Sequence, residues 1–162
     1  MRRASTVALG LALAAAGLWQ AARPAALTLS NSGLSVAYPP VAAWGALAAA
    51  AGLGLVLTAL PPGRLRLLPI VPALLFVLLA GERACYRIEA GRDALAVSGL
   101  AGREQVAWKS VEGVQPDPDG LRVRAGGREL RLRLGPLDPA ERPSLERAVA
   151  RRVREAQAAP AE

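Results

Sequence analysis

The chain has no histidine and a single cysteine, Cys85, among its 162 residues. No disulfide can form within it, and a zinc site of the usual Cys/His kind has no ligands to draw on. A Ser-His-Asp triad and other histidine-based proton transfer are likewise excluded. Acidic charge is missing from one half only. All 13 acidic residues lie at or after Glu82, and residues 1–81 carry no charge beyond Arg2, Arg3, Arg23, Arg64 and Arg66. Five of the seven net positive charges therefore sit in the front half, and the pI near 11.1 is not a nucleic-acid signature. Arginines that flank apolar runs are instead the pattern that orients membrane segments. Heavy use of Ala, Arg, Leu and Gly with one lysine suggests a GC-rich bacterial source.

Three apolar runs are what the front half does contain: ASTVALGLALAAAGLWQAA (4–22), VAAWGALAAAAGLGLVLTAL (41–60) and LLPIVPALLFVLLAG (67–81). A helix of about 20 residues spans roughly 30 Å, the thickness of a bilayer's hydrocarbon core. The reading is a transmembrane region over 1–81, with helices at about 4–22, 41–60 and 65–81. The third run is short, and Arg64 and Arg66 can snorkel to lend it a turn. Its Pro69 and Pro72 fall in the first turns, where proline does least harm. As buried helices of a water-soluble protein these runs would lack polar surface to cover them. The first run has a rival reading as a cleaved signal peptide, with Arg2 and Arg3 as its charged start. An uncleaved anchor is preferred, because Trp19, Gln20, Arg23 and Pro24 occupy the zone where a small-x-small cleavage site belongs. Trp19 and Trp44 read as interfacial anchors.

Between the first two runs, Leu27 and Leu29, then Leu34 and Val36, alternate around SNSG as a small hairpin. PPGR (61–64) joins runs two and three into a helical hairpin, whose packing can use Gly45, Ala49, Gly52 and Gly54, although the plainer reading is that Ala and Gly are simply frequent in this stretch. With the N-terminus inside, Arg2, Arg3, Arg64 and Arg66 balance Arg23, Arg83, Arg87 and Arg92 outside, so the positive-inside rule leaves orientation open.

After Gly81 the period becomes two. YRIEA (86–90), ALAVSG (94–99), REQVAW (103–108), SVEGVQ (110–115), LRVRA (121–125) and RELRLRL (128–134) read as strands parted by turn signals. DPDG (117–120) is one of these turns rather than a calcium loop, whose other ligand positions are missing. Leu145, Val149 and Val153 then recur every four residues as the apolar stripe of one closing helix, with Ala148 and Ala156 beside them. Asp138-Pro139, with Glu141 placed for a capping box, marks one possible helix start; Pro143 marks a later one. Residues 82–157 form the expected domain, followed by a disordered tail at 158–162. Cys85 reads as a small apolar residue at the membrane boundary.

These short strands, the motif QVAWKSVEGV at 105–114 with Trp108 and Val111, the arginine-rich hairpin and the closing helix resemble bacterial pleckstrin-homology-like (PH-like) domains over about residues 82–156. Such domains often follow a transmembrane helical hairpin; a third apolar run is a departure. The resemblance implies a membrane α-helical region followed by a small α+β domain, a partly open antiparallel β-barrel or sandwich capped by a C-terminal helix, with no established enzymatic role.

In LRVRAGGRELRLRL (121–134), Leu121, Val123, Leu130, Leu132 and Leu134 would face the core. Arg122, Arg124, Arg131 and Arg133 would face outward, with Arg128 near the turn. Directly opposed like charges destabilise a sheet by up to about 1 kcal/mol per pair. Three readings compete. The face meets anionic lipid headgroups; or its charges protect an edge strand from pairing; or it is solvated and partly neutralised by Glu112, Asp117 and Asp119, the plainest of the three. The functional expectation is a membrane-anchored PH-like binding or scaffolding module at the bilayer surface, multi-pass in a bacterial plasma membrane and without catalysis. Its partners would be the bilayer, anionic headgroups or another membrane protein, with no cofactor, metal or nucleic acid. A transporter subunit or homo-oligomeric channel is the alternative, weakened because the apolar runs carry no ionisable residue. Nothing singles out carboxylates such as Glu104 and Glu112 as an acid/base pair.

Overall fold

The computed structural model describes residues 2–30, 33–61, 63 and 67–158. The chain divides into two compact units, one of Met1–Arg23 with Tyr38–Cys85, the other of Pro24–Ala37 with Tyr86–Glu162.

The first unit consists of helices α1 (Arg2–Ala21), α2 (Pro40–Ala59) and α3 (Leu67–Cys85). All three are long and apolar enough to cross a membrane. The third gains its length at the end opposite to the one expected. It begins at Leu67 and runs on through Glu82, Arg83 and Ala84 to Cys85. Those residues favour helix, so the first charge does not end it. Arg64 and Arg66 lie outside the described residues. Pro72 stands inside α3 and cannot donate to the carbonyl one turn back, yet the helix continues past it.

Side chains in this unit are sorted by size rather than by polarity. Gly10, Gly17, Ala21, Ala42, Gly45, Ala46, Ala49, Gly52 and Ala80 are buried, while Leu9, Leu11, Leu18, Leu68, Val71, Leu74 and Leu78 are exposed. Water would penalise that arrangement. In a bilayer lipid covers the large side chains at no cost, and small residues let helix backbones approach. The closest approach is between α1 and α2. A Cβ added to Gly17 would lie 2.5 Å from the Gly45 carbonyl oxygen, and one on Gly52 would lie 2.5 Å from that of Gly10. Residues 10, 14, 17 and 21 thus meet 45, 49 and 52, two stripes at alternating spacings of three and four. Gly45, Ala49 and Gly52, which the sequence offered to the α2–α3 hairpin, pack on α1 instead. Gly54 lies on the other side of α2 and its added Cβ would meet nothing within 4 Å.

The second unit holds two antiparallel sheets. Strands β1 (Ala26–Ser30), β2 (Gly33–Ala37), β3 (Arg87–Gly91), β4 (Ala94–Gly99) and β5 (Gly102–Ala107) follow one another in a five-stranded sheet. A 3-10 turn at Trp108–Ser110 leads to a three-stranded sheet of β6 (Val111–Asp117), β7 (Gly120–Ala125) and β8 (Arg128–Arg133). No ladder joins the two sheets among the described residues, so they do not close into a barrel. The hairpin β1–β2 belongs here and not, as its position within residues 1–81 implied, to the membrane half. Val36 pairs with Ile88 and Leu34 with Ala90, and Val36 and Ile88 are wholly buried.

The core is Val36, Ile88, Leu95, Trp108 and Val111 from one part of the chain, and Leu121, Val123, Leu130, Leu132, Leu134 and Leu137 from the next. Helix α4 (Arg142–Ala158) closes it with Leu145, Val149 and Val153, the stripe read from the sequence. Trp108 is buried, and its Nε1 donates to the Gly91 carbonyl at 3.0 Å. The helix starts late, with Pro143 as its second residue. Asp138 caps only the preceding turn, its Oδ1 accepting from the Ala140 amide at 2.9 Å. Glu141 makes no capping box; its Oε2 accepts from the Leu27 amide at 3.1 Å and ties β1 to the start of α4. The helix reaches Ala158, and the tail beyond lies outside the described residues.

Candidate anion-facing surface

The β7–β8 hairpin turns on Gly126 and Gly127, at φ +54° and +73°. Two successive positive φ values make the tight turn whose twist suits a hairpin, and glycine takes them without strain. With register set there, Leu121, Val123, Leu130 and Leu132 point into the core. Arg124, Arg128, Arg131 and Arg133 are exposed and Arg122 is partly so.

Register then divides the five arginines. Arg122 faces Arg131 across the ladder, Arg124 faces Glu129, and Arg133 faces Gly120. The like-charge pair is relieved from one side. Arg122 Nη2 donates to Asp117 Oδ1 at 2.9 Å, and its Nη1 lies 3.8 Å from Glu129. Arg124 also reaches Glu129, at 3.5 Å. No ion pair forms at Arg128, Arg131 or Arg133 among the described residues. Of the counter-charges expected, Asp117 therefore serves, while Glu112 and Asp119 make no ion pair among the described residues. Glu129, on β8 itself, serves two arginines.

A shallow depression of about 180 Å³ lies over the paired half, lined by Glu112, Gln115, Arg122, Arg124 and Glu129. An anion entering it would compete with two carboxylates. The unpaired arginines instead lie on β8, which ends its sheet. That strip is where an anionic surface meets least competition, and it is also where charge guards an edge. Glu104 and Glu112 lie on β5 and β6, in different sheets, and no cluster of metal-ligating side chains occurs among the described residues.

In the helical unit, Trp19 and Trp44 are 75% and 70% exposed. They stand near the end of α1 and the start of α2, as interfacial anchors would. Cys85 is exposed at the end of α3. Two residues that the sequence did not single out meet nearby: the Arg83 guanidinium stacks over the Tyr38 ring at 4.4 Å. Their separation along the chain hid the contact, though an arginine in the last turn of a spanning helix is a local signal. No family model matches the chain, and no curated protein or solved structure matches it either.

Proposed function

We propose that the chain is a membrane-anchored binding or scaffolding module, in which three spans hold a PH-like, sheet-rich unit at the surface of a bacterial plasma membrane. The strip Arg128, Arg131 and Arg133 is its contact with anionic lipid headgroups. One observation carries this reading. The chain passes between its two units three times, at Arg23–Pro24, Ala37–Tyr38 and Cys85–Tyr86, and strands from before α2 and after α3 share one ladder. With three spans, all three passages fall on one side of the membrane. The chain then connects the sheet-rich unit to the spans three times on that side. A transport role finds less support, because the apolar runs carry no ionisable residue to mark an ion or proton path.

The test uses the full chain in nanodiscs of rising phosphatidylglycerol content, with hydrogen exchange read over residues 121–133. Three basic residues near an anionic surface contribute about 1 kcal/mol each. Protection should rise with lipid charge and disappear in about 0.5 M salt, where screening reaches only a few ångströms. Replacing Arg128, Arg131 and Arg133 together with Gln should remove it. Protection that ignores lipid charge would leave the face as a solvated, edge-guarding one.

A further inference from the structure

The helical unit carries a groove of about 560 Å³ between the first half of α2 and the last turns of α3, a size that takes a small-molecule ligand. Trp44, Leu47, Val77 and Ala80 form its apolar walls, and Tyr38 and Arg83 stand at one end. In helices that cross a membrane, such a groove opens to lipid.

Arg83 is held but not neutralised. Its Nη1 donates to the Arg23 carbonyl at 3.1 Å, its plane stacks on Tyr38, and no carboxylate pairs with it among the described residues. Its Nε is buried without a hydrogen-bond partner. An orphaned donor on a charged group is costly; with Nε enclosed and Nη1 bound to Arg23, Nη2 is the nitrogen left to meet an acceptor in the groove. Tyr38 does not supply the missing negative charge. Burial raises its phenol above the usual value, with Arg83 opposing the rise and Glu82 adding to it, so the hydroxyl keeps its proton near neutral pH.

We propose that this groove binds one anionic phospholipid, whose phosphate accepts from Arg83 while an acyl chain lies along Leu47 and Val77. A guanidinium matches phosphate oxygens with its fork of donors. The neighbouring sequence carries Arg23 and Arg83 against Glu82, so a net negative headgroup suits it better than one with its own ammonium. A second helix would fill the apolar walls but leave Arg83 without an acceptor.

Native mass spectrometry of the full chain, released from detergent with phosphatidylglycerol or phosphatidylcholine of the same acyl chains, tests this. One phosphatidylglycerol should be retained per chain, about fivefold over phosphatidylcholine, the worth of one basic residue at a lipid surface. Arg83→Gln should abolish the preference and Arg83→Lys keep part of it. Ala84→Phe, which fills the groove from an exposed position, should reduce retention of both lipids. Arg3→Gln should change nothing. Circular dichroism identifies a variant that fails to fold; if Arg83→Gln does so, Arg83→Lys and Ala84→Phe decide. Equal retention of the two lipids, or a preference that survives Arg83→Gln, overturns the proposal. So does a glycerol phosphate adduct in place of whole lipid, or a dimer that Ala84→Phe breaks. None of these outcomes touches the arginine strip of β8.

Discussion

A methyl group added at Gly17 and one added at Gly54 are the same chemical change on neighbouring helices, and their effects should have opposite signs. At Gly17 the new Cβ would lie 2.5 Å from both the Gly45 carbonyl oxygen and the Ala49 amide nitrogen, against 3.4 Å for the start of ordinary contact. Both obstacles are backbone, so no side chain can swing aside, and α1 and α2 must part by the difference, about 0.9 Å. A gap of about 0.5–1 Å forfeits roughly a quarter to a half of the attraction at each contact along the seam. In lipid no hydrophobic term restores it. Overfilling a packed interior costs about 1–3 kcal/mol, and an obstacle made of backbone puts Gly17→Ala in the upper part of that range. At Gly54 nothing stands within 4 Å, and exchanging a helical glycine for alanine stabilises by about 0.5–1 kcal/mol. Equilibrium unfolding of the full chain in mixed micelles, followed by circular dichroism, should separate the two variants by at least about 1.5 kcal/mol. Gly52→Ala, whose Cβ would meet Gly10 and Ala14 backbone at 2.5 and 2.6 Å, should follow Gly17→Ala. Coincident curves for Gly17→Ala and Gly54→Ala would refute the seam. The same experiment bears on the first apolar run: a chain that had lost it as a signal peptide would be indifferent to residue 17, and the intact mass of the sample reads that directly.

Three further outcomes are expected. In a Cys85→Ala background, single cysteines at Leu29 and Leu100 should react with an impermeant maleimide from one side of the membrane and one at Pro61 from the other; labelling of Leu29→Cys and Leu100→Cys from opposite sides would contradict the shared sheet. Trp108→Phe removes the bond to the Gly91 carbonyl from a buried site, and should lower stability by about 1–3 kcal/mol; an unchanged thermal midpoint would show that bond to be idle. Arg122→Gln leaves Asp117 and Glu129 without a shared partner, but at a partly exposed pair, so the loss should be only about 0.2–1 kcal/mol and fade in high salt. Arg131→Gln, which removes the like charge facing Arg122, should cost nothing under the same denaturation assay.

What the sequence alone determined is whatever depends on spacing within a few residues. Runs of about twenty uncharged residues can only be covered by lipid or by a large protein, and this chain has no such surface to spare, so α1 and α2 were legible. So was the change to period two after Gly81, since alternation of Leu and Arg from 121 to 134 puts five apolar side chains on one face whatever the strand pairs with. The four-residue recurrence of Leu145, Val149 and Val153 placed α4 in the same way. Tertiary structure decided the choice of partner. Nothing near residues 26–37 says that β2 will pair with β3, because the ladder Val36–Ile88 is closed only after two helices have folded back. Gly45 and Gly52 announce a close approach but not to which helix. The arginine face was visible as a row of charges; its division into paired Arg122 and Arg124 and unpaired Arg128, Arg131 and Arg133 depends on Asp117 and Glu129 arriving from neighbouring strands. Periodicity is a property of the local chain, whereas complementarity belongs to two surfaces, and only the folded molecule brings both together.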